Sequence, residues 1–191
     1  MLTDKRIVKT RAAIKTAFLK LALEKDIGKI TVSHITEKAE INRSTFYLHY
    51  SDVYTVLQDI EKEIETKISS CIQSLDVNNV YDSTCSVFTN LTETLNESPE
   101  LKNFILYSNS SQYIISKIKN IFTEKALSAA VEIYPDADKS TLLYLLTFTS
   151  SGIIDTYVKW AHTKDDTTSL ESLIKTVTEL TQNVLEIIKI K

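Results

Sequence analysis

Glycine and proline are almost missing from this chain: its 191 residues hold two of each, where average usage supplies about thirteen and about ten. These residues punctuate tight turns, hairpins and phosphate-cradling loops. Their scarcity argues against sandwiches, barrels, dinucleotide-binding units and phosphate-loop enzymes, and leaves a mostly helical protein. Cysteine is scarce as well. Cys71 and Cys85 are far apart in sequence and form no CxxC pair, so they supply neither a disulfide framework nor a zinc site. No apolar run approaches the roughly 20 residues that span a bilayer, and Met1 to Arg6 lacks the apolar stretch of a signal peptide. The expected setting is therefore soluble, reducing and cytoplasmic. Three histidines, His34, His49 and His162, are scattered, and there is no HExxH, GxSxG or glycine-rich loop. No catalytic residues, metal or cofactor are expected.

What is present is unevenly distributed. Residues 1–50 carry ten Lys/Arg against five Asp/Glu, whereas the remainder carries twelve against twenty. A basic head on an acidic body suggests a head that meets a polyanion. A solvated helix face gives a similar count, so charge alone does not decide.

Helical spacing organises the whole chain. A first helix over about 4–25 buries Ile14, Ala17, Phe18, Leu21 and Ala22, with Lys15 and Lys20 on its other side, and Gly28 lies in the loop that ends it. Thr31 suits the cap of a short helix over 32–39, with Ile35 and Ala39 inward. Glu40-Ile41-Asn42 is a tight connection to a second short helix over 43–50. Asp52 then caps a helix of about 22 residues striped by Val53, Val56, Leu57, Ile60, Ile64, Ile68 and Ile72. After a turn-like segment at 75–79, helices are expected at 80–96, 99–107, 111–133, 137–162 and 168–189. Pro99 suits a first helical turn, Pro135 a break, and 163–167 a polar loop.

Two short helices joined by a tight connection form a helix-turn-helix, which places its second helix in the major groove of DNA. Ile35, Ala39, Ile41 and Phe46 lock the pair onto the first long helix. Arg43, Ser44 and Thr45 are left at the amino end of the second helix, facing outward. Arginine pairs with guanine O6 and N7, serine and threonine with base edges or phosphates. Tyr47 and His49 suit phosphates at the groove rim; the same spacing also suits half-buried packing.

The stretch Asn42-Arg-Ser-Thr-Phe-Tyr-Leu-His-Tyr-Ser-Asp52, with Ala17-Phe18-x-x-Leu21, Ile30-Thr-Val and Ala39 before it, resembles the DNA-binding domain of the TetR family of bacterial transcriptional regulators over residues 6–57. The resemblance implies an all-α protein: a three-helix helix-turn-helix domain at 1–51 and a helical ligand-binding and dimerisation domain at 52–191. It gives the base-reading role to Ser33, Arg43, Ser44 and Thr45 and the phosphate role to Tyr47 and His49. Lys5, Arg6, Lys9 and Arg11 resemble the family's basic arm. The sequence departs from the family at Thr36, where a small alanine is usual, at Glu40, where glycine is usual, and at Val53, where a phosphate-reaching Lys or Arg is frequent. The last departure implies one ionic contact fewer.

The implied function is that of a homodimer on a roughly palindromic operator in double-stranded DNA, a repressor released when a small-molecule effector shifts the long helix that begins near Asp52. Phe88, Tyr107, Tyr113, Tyr144 and Phe148, with Tyr81, are the candidate effector-pocket aromatics, although such spacing equally suits core. The expected helix around 142–160 is apolar nearly all round, and the final one carries Leu170, Leu173, Ile174, Val177, Leu180, Val184, Leu185, Ile187 and Ile188; such helices bury themselves in a second copy. Phe148 to Trp160 resembles a subgroup that includes regulators of dihydroxyacetone metabolism, with Gly152 permitting close helix approach and Trp160 anchoring the dimer seam. That leaves two alternatives open: an activator controlled by a protein partner, and a helical interaction protein without DNA binding.

Overall fold

The computed structural model describes residues 2–72, 80–163 and 168–189. Among them the chain is all-helical and divides into two compact units. The expected turn at 75–79, most of the loop at 163–167, and the side chains of Ile68, Cys71, Ile72, Tyr81, Leu185, Ile187 and Ile188 lie outside the described residues.

The first unit comprises Met1–Ile64 and Ser98–Ile114. It holds α1 (Leu2–Glu24), a single 3-10 turn at Ile27–Lys29, α2 (Val32–Lys38), α3 (Arg43–Tyr47), the first part of α4 (Val53–Ile72), α6 (Pro99–Tyr107) and the start of α7 (Ser111–Ile133). Ile14, Ala17, Phe18, Leu21 and Ala22 of α1 are all buried, as their spacing requires, together with Ile35, Phe46, Val56 and Ile60 and with Leu101, Phe104 and Ile105 of α6. Pro99 occupies the first turn of α6 behind Ser98, whose hydroxyl accepts the Leu101 N–H at 3.3 Å. Ser108 closes α6 onto α1 by donating its buried hydroxyl to the Ala22 carbonyl at 2.7 Å. Capping sets the start of α4: Asp52 accepts the Thr55 N–H at 2.8 Å, while Thr55 Oγ1 accepts the Asp52 N–H at 3.2 Å.

The second unit comprises Glu65–Glu97 and Ile115–Lys191, and so takes in α5 (Val80–Glu97), α8 (Lys139–Thr163), α9 (Leu170–Lys189) and most of α7. Phe88, Leu91 and Leu95 of α5, Ile154 and Tyr157 of α8, and Leu173, Ile174 and Val177 of α9 are buried. Tyr157 meets Phe88 edge-on at 5.4 Å between ring centroids, and its hydroxyl lies 2.9 Å from Thr92 Oγ1. Because Thr92 Oγ1 already donates to the Phe88 carbonyl, the Tyr157 hydroxyl is the donor of that pair. α8 begins at Lys139 because Asp138 accepts the Thr141 N–H at 2.7 Å.

Three local expectations change. Ala39 is only half-buried, and Thr36 is buried in its place. Lys15 is mostly covered rather than solvated, held by Asp59 and Glu63. The short helix expected over 43–50 ends at Tyr47, because the Tyr50 and His49 N–H groups both turn back to the Phe46 carbonyl.

Candidate nucleic-acid interface

The site is built from the turn between α2 and α3. Thr31 caps α2 by accepting the His34 N–H at 3.3 Å, and His34 Nδ1 accepts the Thr31 N–H in return at 3.2 Å. At the other end the Ile41 N–H reaches the Thr36 carbonyl at 3.0 Å and the Glu40 N–H the Glu37 carbonyl at 3.2 Å. This is the Schellman arrangement, whose residue after the cap takes a left-handed conformation. Glu40 is that residue, with φ of 54°. The backbone therefore makes the turn that glycine usually makes, with a side chain that adopts it less readily. Thr36, the other departure inside the motif, is accommodated because its buried hydroxyl donates to the Ser33 carbonyl at 3.1 Å.

Asn42 is extended, with φ of −76° and ψ of 154°, and delivers the chain into α3. Phe46, fully buried, is the peg that orients this five-residue helix. Arg43 and Ser44 are exposed and Thr45 is half-buried. Arg43 donates from Nη2 to Ser33 Oγ, so the two helices of the motif bring a guanidinium and a hydroxyl together on one surface. Tyr47 is 57% exposed and braced edge-on against Phe46 at 5.6 Å. His49 is half-buried.

The basic arm divides. Lys5, Arg6 and Lys9 are exposed. Arg11 is engaged inside the unit: its Nη2 lies 2.8 Å from Asp59 Oδ1 and its guanidinium carbon 5.1 Å from the centre of the Tyr50 ring. The buried Tyr50 hydroxyl donates to Asp59 Oδ2 at 2.6 Å, and Lys15 stands 3.6 Å from the same oxygen. Burial works to raise the Asp59 carboxyl, but the hydrogen bonds from Tyr50 and Arg11 and the nearby cations outweigh it and hold the group below its ordinary value. Burial first, and donation to Asp59 second, push the Tyr50 hydroxyl well above its own. One carboxylate thus ties α1, the residue that follows the motif, and α4 together.

Val53 is buried and belongs to the α4 stripe, so the frequent family cation is replaced here by core. Tyr54, its neighbour, is 64% exposed and presents a hydroxyl at the same end of α4. The α4 pattern itself marks it, since the spacing that buries Val53, Val56 and Ile60 turns residue 54 outward. Leu48 is also exposed beside the motif; a polar-contact reading passes over an apolar residue.

The five aromatic residues expected around an effector do not share one described cavity. Phe88 is fully buried against Tyr157, whereas Tyr107, Tyr113, Tyr144 and Phe148 are exposed. Tyr107 lines a polar cleft of about 300 Å³ with Lys25, Lys29 and Asn109. Among the described residues no cluster of His, Cys, Asp and Glu could hold a metal ion, and no helix is long and apolar enough to cross a membrane.

No protein-family model matches the chain. It is similar to an HTH-type transcriptional regulator, YxbF, of Bacillus subtilis, with 40% identity over 74 residues; the match spans 38% of this chain and only 18% of that protein. Among solved structures it resembles a TetR transcriptional regulator from Streptococcus agalactiae, with a TM-score of 0.65 and 23% identity over 95% of this chain and 98% of that one. A fatty acid degradation regulator, FadR, from Bacillus halodurans gives 0.59 at 17% identity over 90% and 94% of the two chains. The dihydroxyacetone kinase operon activator DhaS gives 0.53 at 19% identity over 96% and 98%. The fold is that of the TetR-type transcriptional regulators, and the proteins matched are regulators rather than enzymes.

Proposed function

We propose that this chain, which has the TetR-regulator fold, is a cytoplasmic homodimeric transcriptional regulator that reads a roughly palindromic operator in double-stranded DNA, and acts as a repressor. One observation carries the reading: α3 is pegged by Phe46 and turns Arg43, Ser44 and Tyr47 to solvent beside Ser33 of the preceding helix. In a helix-turn-helix that is the face that enters the major groove. Arg43, Ser33, Ser44 and Thr45 discriminate bases; Tyr47, His49 and Lys9 hold phosphates. Arg11, bound to Asp59, acts mainly by fixing α1 to α4. The functional division is 1–51 for DNA and 52–191 for regulation and dimerisation.

Dimerisation through α8 and α9 is supported by what α8 leaves uncovered. Tyr144 is 74% and Phe148 69% exposed, and Gly152 follows them at the same four-residue spacing, also exposed. Among the described residues a Cβ on Gly152 would meet no atom within 4 Å beyond its own stretch of helix, so no packing described within the protomer calls for a glycine there. A second helix crossing this stripe does.

A second reading, an activator controlled by a protein partner, is favoured by the scattering of the effector aromatics, four of them exposed and the fifth in the core. Transcription from a template bearing the operator separates the two, falling on addition of a repressor and rising with an activator.

The test of the main reading is selection of bound sites from random DNA at two salt concentrations. A palindrome is expected, and an unenriched pool sinks the proposal. On the selected site Arg43→Ala should lose about 1–3 kcal/mol of discrimination at one base per half-site, whereas Lys9→Ala should weaken all sequences alike and flatten the salt dependence.

A further inference from the structure

Leu48 is 82% exposed, the most exposed large apolar side chain among the described residues. It is not loose: its N–H donates to the Ser44 carbonyl at 3.2 Å, and Phe46 and Tyr50 on either side of it are buried. Ser44 and Leu48 are four residues apart, so their side chains lie one above the other on the same face of the turn. That face carries Arg43 and Tyr47 as its other pair, and the head that bears it has twice as many bases as acids. An apolar group fixed at the end of a polar face that carries Arg43 has no use in water and would suit an apolar point on an otherwise anionic partner.

The major groove offers one such point, the C5-methyl group of thymine. We propose that Leu48 is a specificity-determining residue that packs on a thymine methyl in each operator half-site. The inference rests on the DNA-reading function proposed above and extends it by naming a base. Ser44 and Leu48 are separated by about 6 Å along the helix axis, close to two base-pair steps of about 3.4 Å. With α3 running along the groove, the thymine would stand about two steps from the base facing Ser44.

The test replaces each thymine of the selected operator, one at a time, by deoxyuridine, which removes the methyl and leaves every hydrogen-bonding group in place. Wild-type affinity is expected to fall about three- to fivefold at one position per half-site, the loss for uncovering a methyl-sized apolar group. Leu48→Ala removes the contact from both half-sites, so it should bind the thymine site about ten- to twenty-fivefold more weakly than wild type and be indifferent to deoxyuridine at that position. Wild-type binding that ignores deoxyuridine everywhere overturns the inference while leaving the regulator reading intact. So does a Leu48→Ala variant that remains as sensitive to deoxyuridine as wild type. A chain that enriches no site at all removes the regulator reading, and this inference with it.

Discussion

α3 and α8 both leave side chains in solvent, and what they leave there differs in kind. α3 exposes Arg43, Ser44 and Tyr47, with Leu48, the residue that caps its end, as the apolar exception. α8 exposes Tyr144, Phe148 and Gly152 in a stripe, with Leu143 beside it. Polar groups lose nothing by standing in water, so the α3 face is at rest without a partner and gains specificity when it finds one. Large apolar side chains left in water forgo about 1.5–3 kcal/mol each, so the α8 face is unfinished until something covers it. On the function proposed above, the first face meets a polar, charged partner reversibly and the second a lasting apolar one. A second copy of the chain carries the matching stripe by symmetry.

The largest effect should come from polarising α8. Tyr144→Glu combined with Phe148→Glu places like charges opposite one another in a self-associated pair and should weaken association at least a hundredfold. Sedimentation at micromolar concentration should then give a monomer with unchanged helix content. Operator affinity should fall with it, since two half-sites are no longer read together. A variant that stays dimeric places the seam elsewhere and breaks the contrast between the two faces.

A smaller effect is expected from the clamp behind α3. Asp59→Asn removes the charge that Arg11, Tyr50 and Lys15 share, and should cost about 1–2 kcal/mol, moderated by the partial exposure of the pair. The pH dependence follows from the sign of the shift. Asp59 is held below its ordinary value in the fold, so its stabilisation is fully present above the unfolded carboxylate value of about 4 and is lost as the pH falls through the lowered folded value. The gap in Tm between wild type and Asp59→Asn should hold steady from pH 7 to about 5 and close below about 4. A gap that instead widens in acid would mean that the carboxylate is not the group holding α1 and α4.

Much of this was legible along the chain because helix ends are local events. Asp52, Pro99 and Thr31 each announce a helix start within four residues, and the spacing of Ile14, Phe18 and Leu21 gives the buried side of α1 directly. The clamp was not legible, because Arg11 meets a carboxylate 48 residues away and nothing local separates it from Lys9, which remains in solvent. The burial of Thr36 is not legible locally, because its hydroxyl argues for exposure until a carbonyl three residues earlier is seen to accept it. The effector aromatics meet a related limit: spacing tells which side chains share a helix face, but not whether that face meets core, solvent or a cavity.

The smallest effect tests the turn that sets the α3 face. Glu40 is the one non-glycine residue with positive φ among the described residues, and its side chain is exposed. A left-handed residue costs roughly 1–2 kcal/mol, of which glycine returns most, less the roughly 0.5–1 kcal/mol by which its freer unfolded chain opposes folding. Glu40→Gly should therefore stabilise by up to about 1 kcal/mol, a rise in Tm of about 2–4 °C for a chain of this size. Both turn hydrogen bonds come from backbone N–H groups, of Glu40 and Ile41, so glycine keeps them and operator affinity should change less than twofold. Glu40→Ala separates conformation from charge: it keeps the Cβ and loses the carboxylate, and should leave Tm where it was. If alanine stabilises as much as glycine, the cost at residue 40 is its negative charge near a DNA-facing surface, and the backbone of the turn is not under strain.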